Sequence, residues 1–337
     1  MQRNRKFLCA VLACLAVMAV FPLQAFAVNP TTPIEPEKRC SLTVDYNYES
    51  MPIPGAEFQI YHLATVSPNV HFTKTGQFAG YSSISMEGNT VESWNSMAVT
   101  VKGYAQADQL EPMYEKVTDG NGKFTISDMA TGLYLVVGIR RTVGDYTYIA
   151  EPTIVCLPGT DAEGSQWHYD VTVSPKKSRD ANPSGDDPAD KKLTRKMLVI
   201  WDDAGYTGKR PDSVVVKLLK DGKEYDTKIL KKEDNWRCAW DNLPAYDENN
   251  TKIEWTVIQQ AVPNYTLTIS RAGITFTATN KYRPPVSPSP YHPYYPYSGG
   301  SSYLPQTGVL WWPVPVLLCA GMLCLIVGFY VRRRAEN

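Results

Sequence analysis

The chain has 337 residues, and its 34 lysine and arginine residues balance its 34 aspartate and glutamate residues. This balance leaves no net field that would favour nucleic acid or another highly charged partner. The four histidines, at 62, 71, 168 and 292, lack metal-ligand spacing, so the sequence predicts neither a metal site nor a cofactor.

The N-terminus has the three regions of a secretory signal peptide. Arg3, Arg5 and Lys6 precede an apolar run from Phe7 to Phe21, and small residues follow at Ala25-Phe26-Ala27. This order predicts that residues 1–27 are a signal peptide cut after Ala27. A retained membrane helix is the weaker alternative, because the apolar run is short for a bilayer.

After a short N-terminal segment, residues 28–38, the pattern predicts a first, mainly β domain at residues 39–176. Strands are predicted at 41–44, 56–61, 123–126, 133–137, 146–150, 153–157 and 169–173. Apolar residues recur every three or four positions from Glu92 to Leu110, which predicts one inserted helix. Asn89 and Thr90 are its candidate N-caps.

Two features of this domain have alternative interpretations. Asp119-Gly120-Asn121-Gly122 could open a calcium loop, but the later ligands are absent, so a hairpin turn is favoured. Cys40 and Cys156 both fall on predicted strands of the first domain, where they could form a disulfide or stay as buried thiols.

Residues 177–192 contain no large apolar side chain, which predicts a flexible linker. Residues 193–282 then predict a second domain with seven short strands, a pattern typical of a β-sandwich. Asp221-Gly222 between two alternating runs predicts a hairpin turn there. Asp202-Asp203 could be a paired-carboxylate site, but with no histidine or further acid nearby a solvated loop is favoured. The predicted strands are at 197–201, 213–220, 223–230, 236–240, 253–259, 265–270 and 274–280.

The C-terminal part begins with a proline- and tyrosine-rich stretch, residues 283–303, which predicts an extended, stiff stalk. Leu304-Pro305-Gln306-Thr307-Gly308 follows, and then an uncharged apolar run at 309–331 and a basic tail at 332–337. As a helix, the run would be ~34 Å long, enough to cross a hydrocarbon core of ~30 Å. Three arginines after it would hold that end in the cytoplasm.

The order Leu-Pro-x-Thr-Gly, apolar span and basic tail resembles the cell-wall sorting signal that sortases recognise in Gram-positive bacteria. The resemblance implies that a sortase thiolate attacks the carbonyl of Thr307 and releases Gly308 with the membrane segment. An amine of a peptidoglycan cross-bridge or of another subunit then resolves the acyl-enzyme. The membrane would hold only the precursor, and the mature protein would be anchored to the cell wall.

The second domain resembles the Cna B-type module of collagen adhesins, a transthyretin-like and immunoglobulin-like β-sandwich. The resemblance rests on residues spread over nearly the whole domain: Trp201-Asp202-Asp203, the run from Gly208 to Val216, Leu218-Leu219, Asp221-Gly222, Asn235-Trp236, Leu243-Pro244, Tyr246-Asp247, the run from Ala261 to Tyr265, and Thr279-Asn280.

The first domain resembles the N-terminal part of Spa-type pilins. The resemblance rests on Gly55-Ala56-Glu57-Phe58, on the run from Gly132 to Val136 and on the run from Trp167 to Lys176. In such pilins the last segment supplies the lysine that accepts the next subunit, so the resemblance implies this role for Lys176. The alternative is an ordinary exposed lysine at a domain boundary.

Many members of this family form an internal Lys–Asn isopeptide bond with the help of a buried carboxylic acid. In the second domain the matching positions are Val199, Gln259 and Asn280. Because valine has no amine and glutamine cannot shuttle a proton, we expect no such bond here.

The sequence therefore predicts an all-β, exported wall protein with two tandem β-sandwich domains, and it predicts no enzyme, since no nucleophile–base, carboxylate or metal constellation appears. The favoured function is a pilin-type subunit. The alternative is a monomeric adhesin that binds a host or matrix ligand.

Overall fold

The computed structural model describes residues 30–284, except 31, 88–89, 162–164, 183–190 and 249. The predicted signal peptide, nearly all of the stalk, the Leu304–Gly308 motif, the apolar run and the basic tail lie outside these residues. Within the described part, no helix combines the length and apolar character needed to cross a membrane.

The first domain is built from short strands and a single α-helix among its described residues. The helix is α1 (Val91–Ala107), and a 3₁₀ turn lies at Gly76–Phe78. The strands are β1 (Cys40–Asp45), β2 (Asn47–Tyr48), β3 (Met51–Pro52), β4 (Glu57–Val66), β5 (Phe72–Lys74), β6 (Tyr114–Val117), β7 (Lys123–Met129), β8 (Gly132–Gly138), β9 (Arg141–Val143), β10 (Tyr146–Ala150), β11 (Thr153–Leu157), β12 (Gly159–Thr160), β13 (Trp167–His168), β14 (Asp170–Val173) and β15 (Lys177–Ala181).

Two main sheets form the sandwich of the first domain. One has the order β14-β1-β7, and the other has the order β11-β8-β4-β5, with β6 paired to β4. Their facing side chains form a core that includes Leu42, Phe58 and Tyr134. The central strand β8 is buried on both faces, because Leu133 and Leu135 point to the opposite side from Tyr134. Strands buried on both faces read as continuous apolar runs, which explains Leu133–Val137.

The helix begins at a capping box. Thr90 accepts a hydrogen bond from the Ser93 amide at 3.1 Å, and the Ser93 hydroxyl accepts one from the Thr90 amide at 3.0 Å. These bonds satisfy donors that a helix N-terminus leaves free. The prediction of a helix capped at Thr90 is confirmed, while Asn89 lies outside the described residues.

The second domain contains all seven predicted strands, packed as a sandwich of four and three. The sheets have the orders β19-β16-β22-β21 and β18-β17-β20, and 3₁₀ turns lie at Thr207–Lys209 and Lys232–Asp234. The strands are β16 (Lys192–Asp202), β17 (Ser213–Lys220), β18 (Lys223–Lys231), β19 (Arg237–Pro244), β20 (Trp255–Gln259), β21 (Tyr265–Ala272) and β22 (Thr275–Tyr282).

One hydrophobic core is shared by both domains. It includes Trp94, Met97 and Val101 of α1 together with Leu267 and Ile269 of β21. The helix packs against β8 and β11 of the first domain and against β20 and β21 of the second. The sequence pattern predicted one inserted helix in the first domain, and the structure shows that this helix lies between the two domains.

The structure differs from two local predictions. The Asp119–Gly122 segment is a tight turn, closed by the Gly122 amide donating to the Asp119 carbonyl at 3.0 Å. It does not close a hairpin, because β6 pairs with β4 whereas β7 pairs with β1. Lys177–Ala181, which the sequence analysis places in the linker, forms β15 and pairs with β10.

Candidate functional site

Lys176 lies on the surface, between β14 and β15. Burial alternates along this segment: Val171, Val173 and Pro175 are buried, while Lys176 is exposed. The Lys176 carbonyl accepts a hydrogen bond from the Glu151 amide at 2.7 Å, which fixes its backbone. Its ammonium group has no hydrogen bond or ion pair among the described residues. The lysine is therefore a free amine on a short connection whose backbone is held by a hydrogen bond.

The rest of the segment from Trp167 to Lys176 is held by contacts with distant parts of the chain. The Trp167 indole donates to the Thr32 carbonyl at 2.8 Å, and the Tyr169 hydroxyl accepts from the Glu35 amide at 2.9 Å. Strand β14 pairs in parallel with β1, the first strand of the domain. These contacts hold the segment that leads to Lys176, which lies in the short connection between β14 and β15.

The second candidate site lies in the core of the second domain. Gln259 and Asn280 are both fully buried, on strands of opposite sheets. The Gln259 side-chain amide donates to Asn280 Oδ1 at 2.7 Å, and the Asn280 amide donates to Gln259 Oε1 at 3.1 Å. Each amide therefore satisfies one donor and one acceptor of the other. Buried polar groups that have hydrogen-bond partners are tolerated in a core.

Val199 is the third position of this site. It is buried on β16, two residues before Trp201, whose register partner on β22 is Asn280. The isopropyl group fills core volume and offers no nucleophile. The three positions that the sequence resemblance matched to a crosslink thus contain an apolar side chain and a reciprocal amide pair.

The pair Asp202-Asp203 does not form the solvated loop that the sequence favoured. Asp202 is exposed, but the Asp203 side chain is only 3% exposed and binds Arg210 through two hydrogen bonds of 2.6 and 3.0 Å. The hydrogen bond from Arg210 lowers the pKa of Asp203. The solvated-loop prediction is therefore wrong for Asp203, which is the partner in a largely buried ion pair.

Cys40 and Cys156 are both buried free thiols. Cys40 lies in the core between the two sheets, and Cys156 lies in the core shared by the domains. The two side chains thus belong to different cores, on either side of the sheet that contains β11. Burial raises the pKa of Cys40 to about 11, so it is a poor nucleophile at neutral pH.

The contacts between the domains were missed by the sequence analysis. The Thr100 hydroxyl of α1 accepts from the Ile269 amide of β21 at 2.6 Å. Two residues further along the helix, Lys102 pairs with Glu254 at 2.8 Å, and the Lys102 side chain is only 9% exposed. No sequence signal marks these pairs, because their partners are about 150 residues apart in the chain.

Gly103, near the end of α1, is also explained by the contact between the domains. A Cβ at Gly103 would lie 2.9 Å from Cγ2 of Ile258 in the second domain. Glycine inside a helix costs about 1 kcal/mol relative to alanine. At this position it allows the second domain to approach the helix backbone.

None of the described residues form a group of three or more His, Cys, Asp or Glu side chains that could hold a metal ion. The chemistry available in the described part is therefore that of an exposed amine, a buried amide pair and structural ion pairs.

Residues 197–281 match the family described as Cna protein B-type domain, and the second domain is a domain of this kind. The collagen adhesin of Staphylococcus aureus is 43% identical over 86 residues, which are 25% of this chain and 7% of the adhesin. The chain therefore spans a small part of that relative. The matched family is structural and adhesin-like rather than enzymatic.

Two solved structures are reported as similar to this chain by the identity, coverage and TM-score of each. A single B repeat unit (B1) of the S. aureus collagen-binding surface protein has 16% identity and a TM-score of 0.26, with 73% of this chain and 99% of that chain covered. The major pilin SpaD of Corynebacterium diphtheriae has 14% identity and a TM-score of 0.29, with 73% and 65% covered.

Proposed function

We propose that this chain is an exported, sortase-anchored surface protein that acts as a pilin-type structural subunit. In this proposal a sortase thiolate attacks the carbonyl carbon of Thr307, and the bond to Gly308 breaks as the Gly308 amine leaves. The amine of an acceptor then attacks the thioester, releases the thiolate and forms a new amide. The acceptor is either Lys176 of another copy or the peptidoglycan cross-bridge.

The observation that supports covalent polymerisation is that the Lys176 ammonium group is exposed and unpaired within the described part of the chain. A sortase must deliver a large acyl-enzyme to the acceptor amine, so that amine has to be exposed and free of competing partners. Lys176 meets both requirements, and the Glu151 contact fixes its backbone. The adjacent Lys177 is partly buried and belongs to β15.

The test compares two neighbouring lysines in cells that make the protein. Wall extracts of the wild type are expected to show a ladder of high-mass species that resists detergent. Lys176→Arg keeps the positive charge but removes the acylatable amine, so the ladder should collapse to one wall-linked band. Lys177→Arg is the matched control and should keep the ladder. A ladder that persists in Lys176→Arg would exclude Lys176 as the acceptor.

The anchor itself is tested by Thr307→Ala, which removes the side chain that identifies the scissile carbonyl. We expect this variant to leave the wall fraction and to keep its hydrophobic tail. Wall-linked Thr307→Ala protein without the tail would contradict sortase cleavage at Thr307.

The second candidate function is a monomeric wall-anchored adhesin. It is favoured by the Cna B-type domain, because a relative with this domain is a collagen adhesin. In that case the wild type gives a single wall-linked band, Lys176→Arg changes nothing, and the purified protein binds immobilised collagen or another matrix component.

A further inference from the structure

An arginine cluster lies where the two domains meet. We define it as Arg140 of the first domain together with Arg195 and Arg271 of the second. Strands β16 and β21 both pair with β22, and Lys196 and Ala272 share the partner Thr275. Arg195 and Arg271 are the residues directly before these two positions. They therefore lie at the same end of the sandwich.

Both second-domain arginines face the inside of the sandwich at this end. Arg195 has the same strand parity as the buried Met197 and Val199, and it is only 8% exposed. Arg271 has the same parity as the buried Leu267 and Ile269, but it is exposed because it lies at the open end. Arg195 is thus the buried member of the cluster, and Arg271 is the exposed one, with its Nε donating to the Gly273 carbonyl at 3.2 Å and its guanidinium over the Phe276 ring.

Arg140 extends from the first domain to this end of the second domain. It follows β8, and its Nη1 donates to the carbonyl oxygen of Lys252. Lys252 lies just before the buried Ile253, and its ammonium pairs with Asp180 of β15. Both domains therefore contribute residues at this end of the sandwich.

The guanidinium groups of Arg140 and Arg195 have unused donors. Arg195 donates through Nη1 to the Thr194 carbonyl at 3.1 Å, but its buried Nε has no partner. The buried Nε of Arg140 also has no partner. A buried donor without an acceptor costs about 1–3 kcal/mol, and more when the group is charged. Because two such buried Nε donors lie at the junction between the domains, we expect them to have an acceptor that the described residues do not supply.

The carboxylates of the junction are already occupied. Asp180 is bound to Lys252, and Glu254 is bound to Lys102. Burial acts to raise the pKa of Glu254, but the charges of Lys102 and Arg140 lower it. No described carboxylate forms a salt bridge with Arg195. Burial, and then the like charges of Arg271 and Arg140, lower the pKa of Arg195 to about 10. Arg140 therefore shares the charge of Glu254 with Lys102, whereas Arg195 has no carboxylate partner among the described residues.

We propose that the arginine cluster binds an oxyanion, phosphate or a carboxylate, at the junction between the domains. Guanidinium groups present donors in a planar fork that matches the oxygens of both kinds of anion. A bound anion would accept from the free Nε donors and offset the mutual repulsion of the arginines. Because Arg140 and Arg195 belong to different domains, the same anion would stabilise their docking.

The test is calorimetric titration of the purified protein with inorganic phosphate, at constant ionic strength set by sodium chloride. We expect saturable binding of one phosphate per chain and a rise in the thermal unfolding midpoint as phosphate replaces chloride. A parallel titration with acetate distinguishes the two classes of anion. Saturation by acetate but not by phosphate would identify the site as one for carboxylates.

Variants of the arginine cluster test whether it is responsible for anion binding. Arg195→Met and Arg140→Gln should each weaken anion binding about tenfold or more, which corresponds to ~1.4 kcal/mol. Arg237→Gln, at an exposed arginine of β19, removes the same charge and should leave binding unchanged. Arg140→Gln keeps the test decisive if Arg195→Met does not fold.

Two outcomes would overturn the proposal. The first is the absence of saturable binding for both phosphate and acetate. The second is that Arg195→Met raises stability equally in phosphate and in chloride, which is the result expected when only an unpaired buried charge has been removed.

Discussion

Gln259 and Asn280 hydrogen-bond to each other in both directions in the core of the second domain, through their side-chain amides alone. By the resemblance described above, this pair is expected to occupy the positions of the acid and the asparagine of a covalent crosslink. The hydrogen bonds preserve a polar contact between the two sheets, but their strength depends on both partners being present.

This dependence can be measured by a double-mutant cycle. Asn280→Leu leaves the Gln259 amide buried without a partner, so we expect a loss of about 1–3 kcal/mol in the free energy of unfolding. Gln259→Leu should cost a similar amount. The double variant should lose less than the sum of the two, because no orphaned amide remains. Urea unfolding measures all three, and strict additivity would show that the pair contributes no coupling.

The crosslink itself can be restored by design. Val199→Lys together with Gln259→Glu supplies the missing amine and the missing acid beside Asn280. We expect the double variant to lose the mass of one ammonia, with a Lys–Asn crosslink in peptide maps. The same variant with Asn280→Ala is the control and should keep its full mass. The unaltered chain should also show its full mass, and an ammonia loss mapped to an internal Lys–Asn bond would contradict our prediction.

For Gly103 in α1, we expect substitution by alanine to lower the stability of the protein, although helix propensity alone predicts an increase. Alanine is the better helix former, so Gly103→Ala in an isolated helix would add about 1 kcal/mol of stability. In this protein the new methyl group would collide with Cγ2 of Ile258, so we expect a net loss of stability and weaker docking. Asn95→Ala, on the exposed face of α1, should stabilise by ~0.5 kcal/mol. A stabilised Gly103→Ala would mean that the domains do not pack here.

The Asp203–Arg210 pair predicts a dependence of stability on pH. The pKa of Asp203 is lowered by Arg210, so the ionised form stabilises the fold. That contribution is present above the unfolded-state pKa of ~3.9 and is lost as the pH falls through the lower, folded-state pKa. Asp203→Asn should therefore lose about 2 kcal/mol at neutral pH, and its difference from the wild type should disappear in strong acid.

The control for this prediction is the neighbouring exposed residue. Asp202→Asn should change the free energy of unfolding little at any pH, because its side chain is exposed. A constant difference between Asp203→Asn and the wild type down to acid pH would show that packing, rather than charge, accounts for the effect.

The sequence predicted the strands of the second domain well, because their alternation and the Asp221-Gly222 turn are local signals. It also placed Gln259 and Asn280 at matching positions, although the resemblance to a family carried that inference and periodicity did not. It did not predict the role of Asp203, since a short acidic pair does not reveal that Arg210 folds back onto it. Nor did it predict the docking of α1, because Thr100 and Gly103 acquire their partners only when two separate domains meet.

The parallel pairing of β16 with β22 determines how the second domain would bear a pulling force along the chain. In a polymer linked through Lys176 and Thr307, tension enters the chain at Lys176 and runs through β15 and the second domain, so β1–β14 lie outside its path. Within the second domain the pull enters at β16 and leaves at β22, which are parallel neighbours from Lys196 to Asp202. Opposed forces on parallel neighbours shear their hydrogen bonds together instead of peeling them apart one by one, so the sandwich resists extension without a covalent brace.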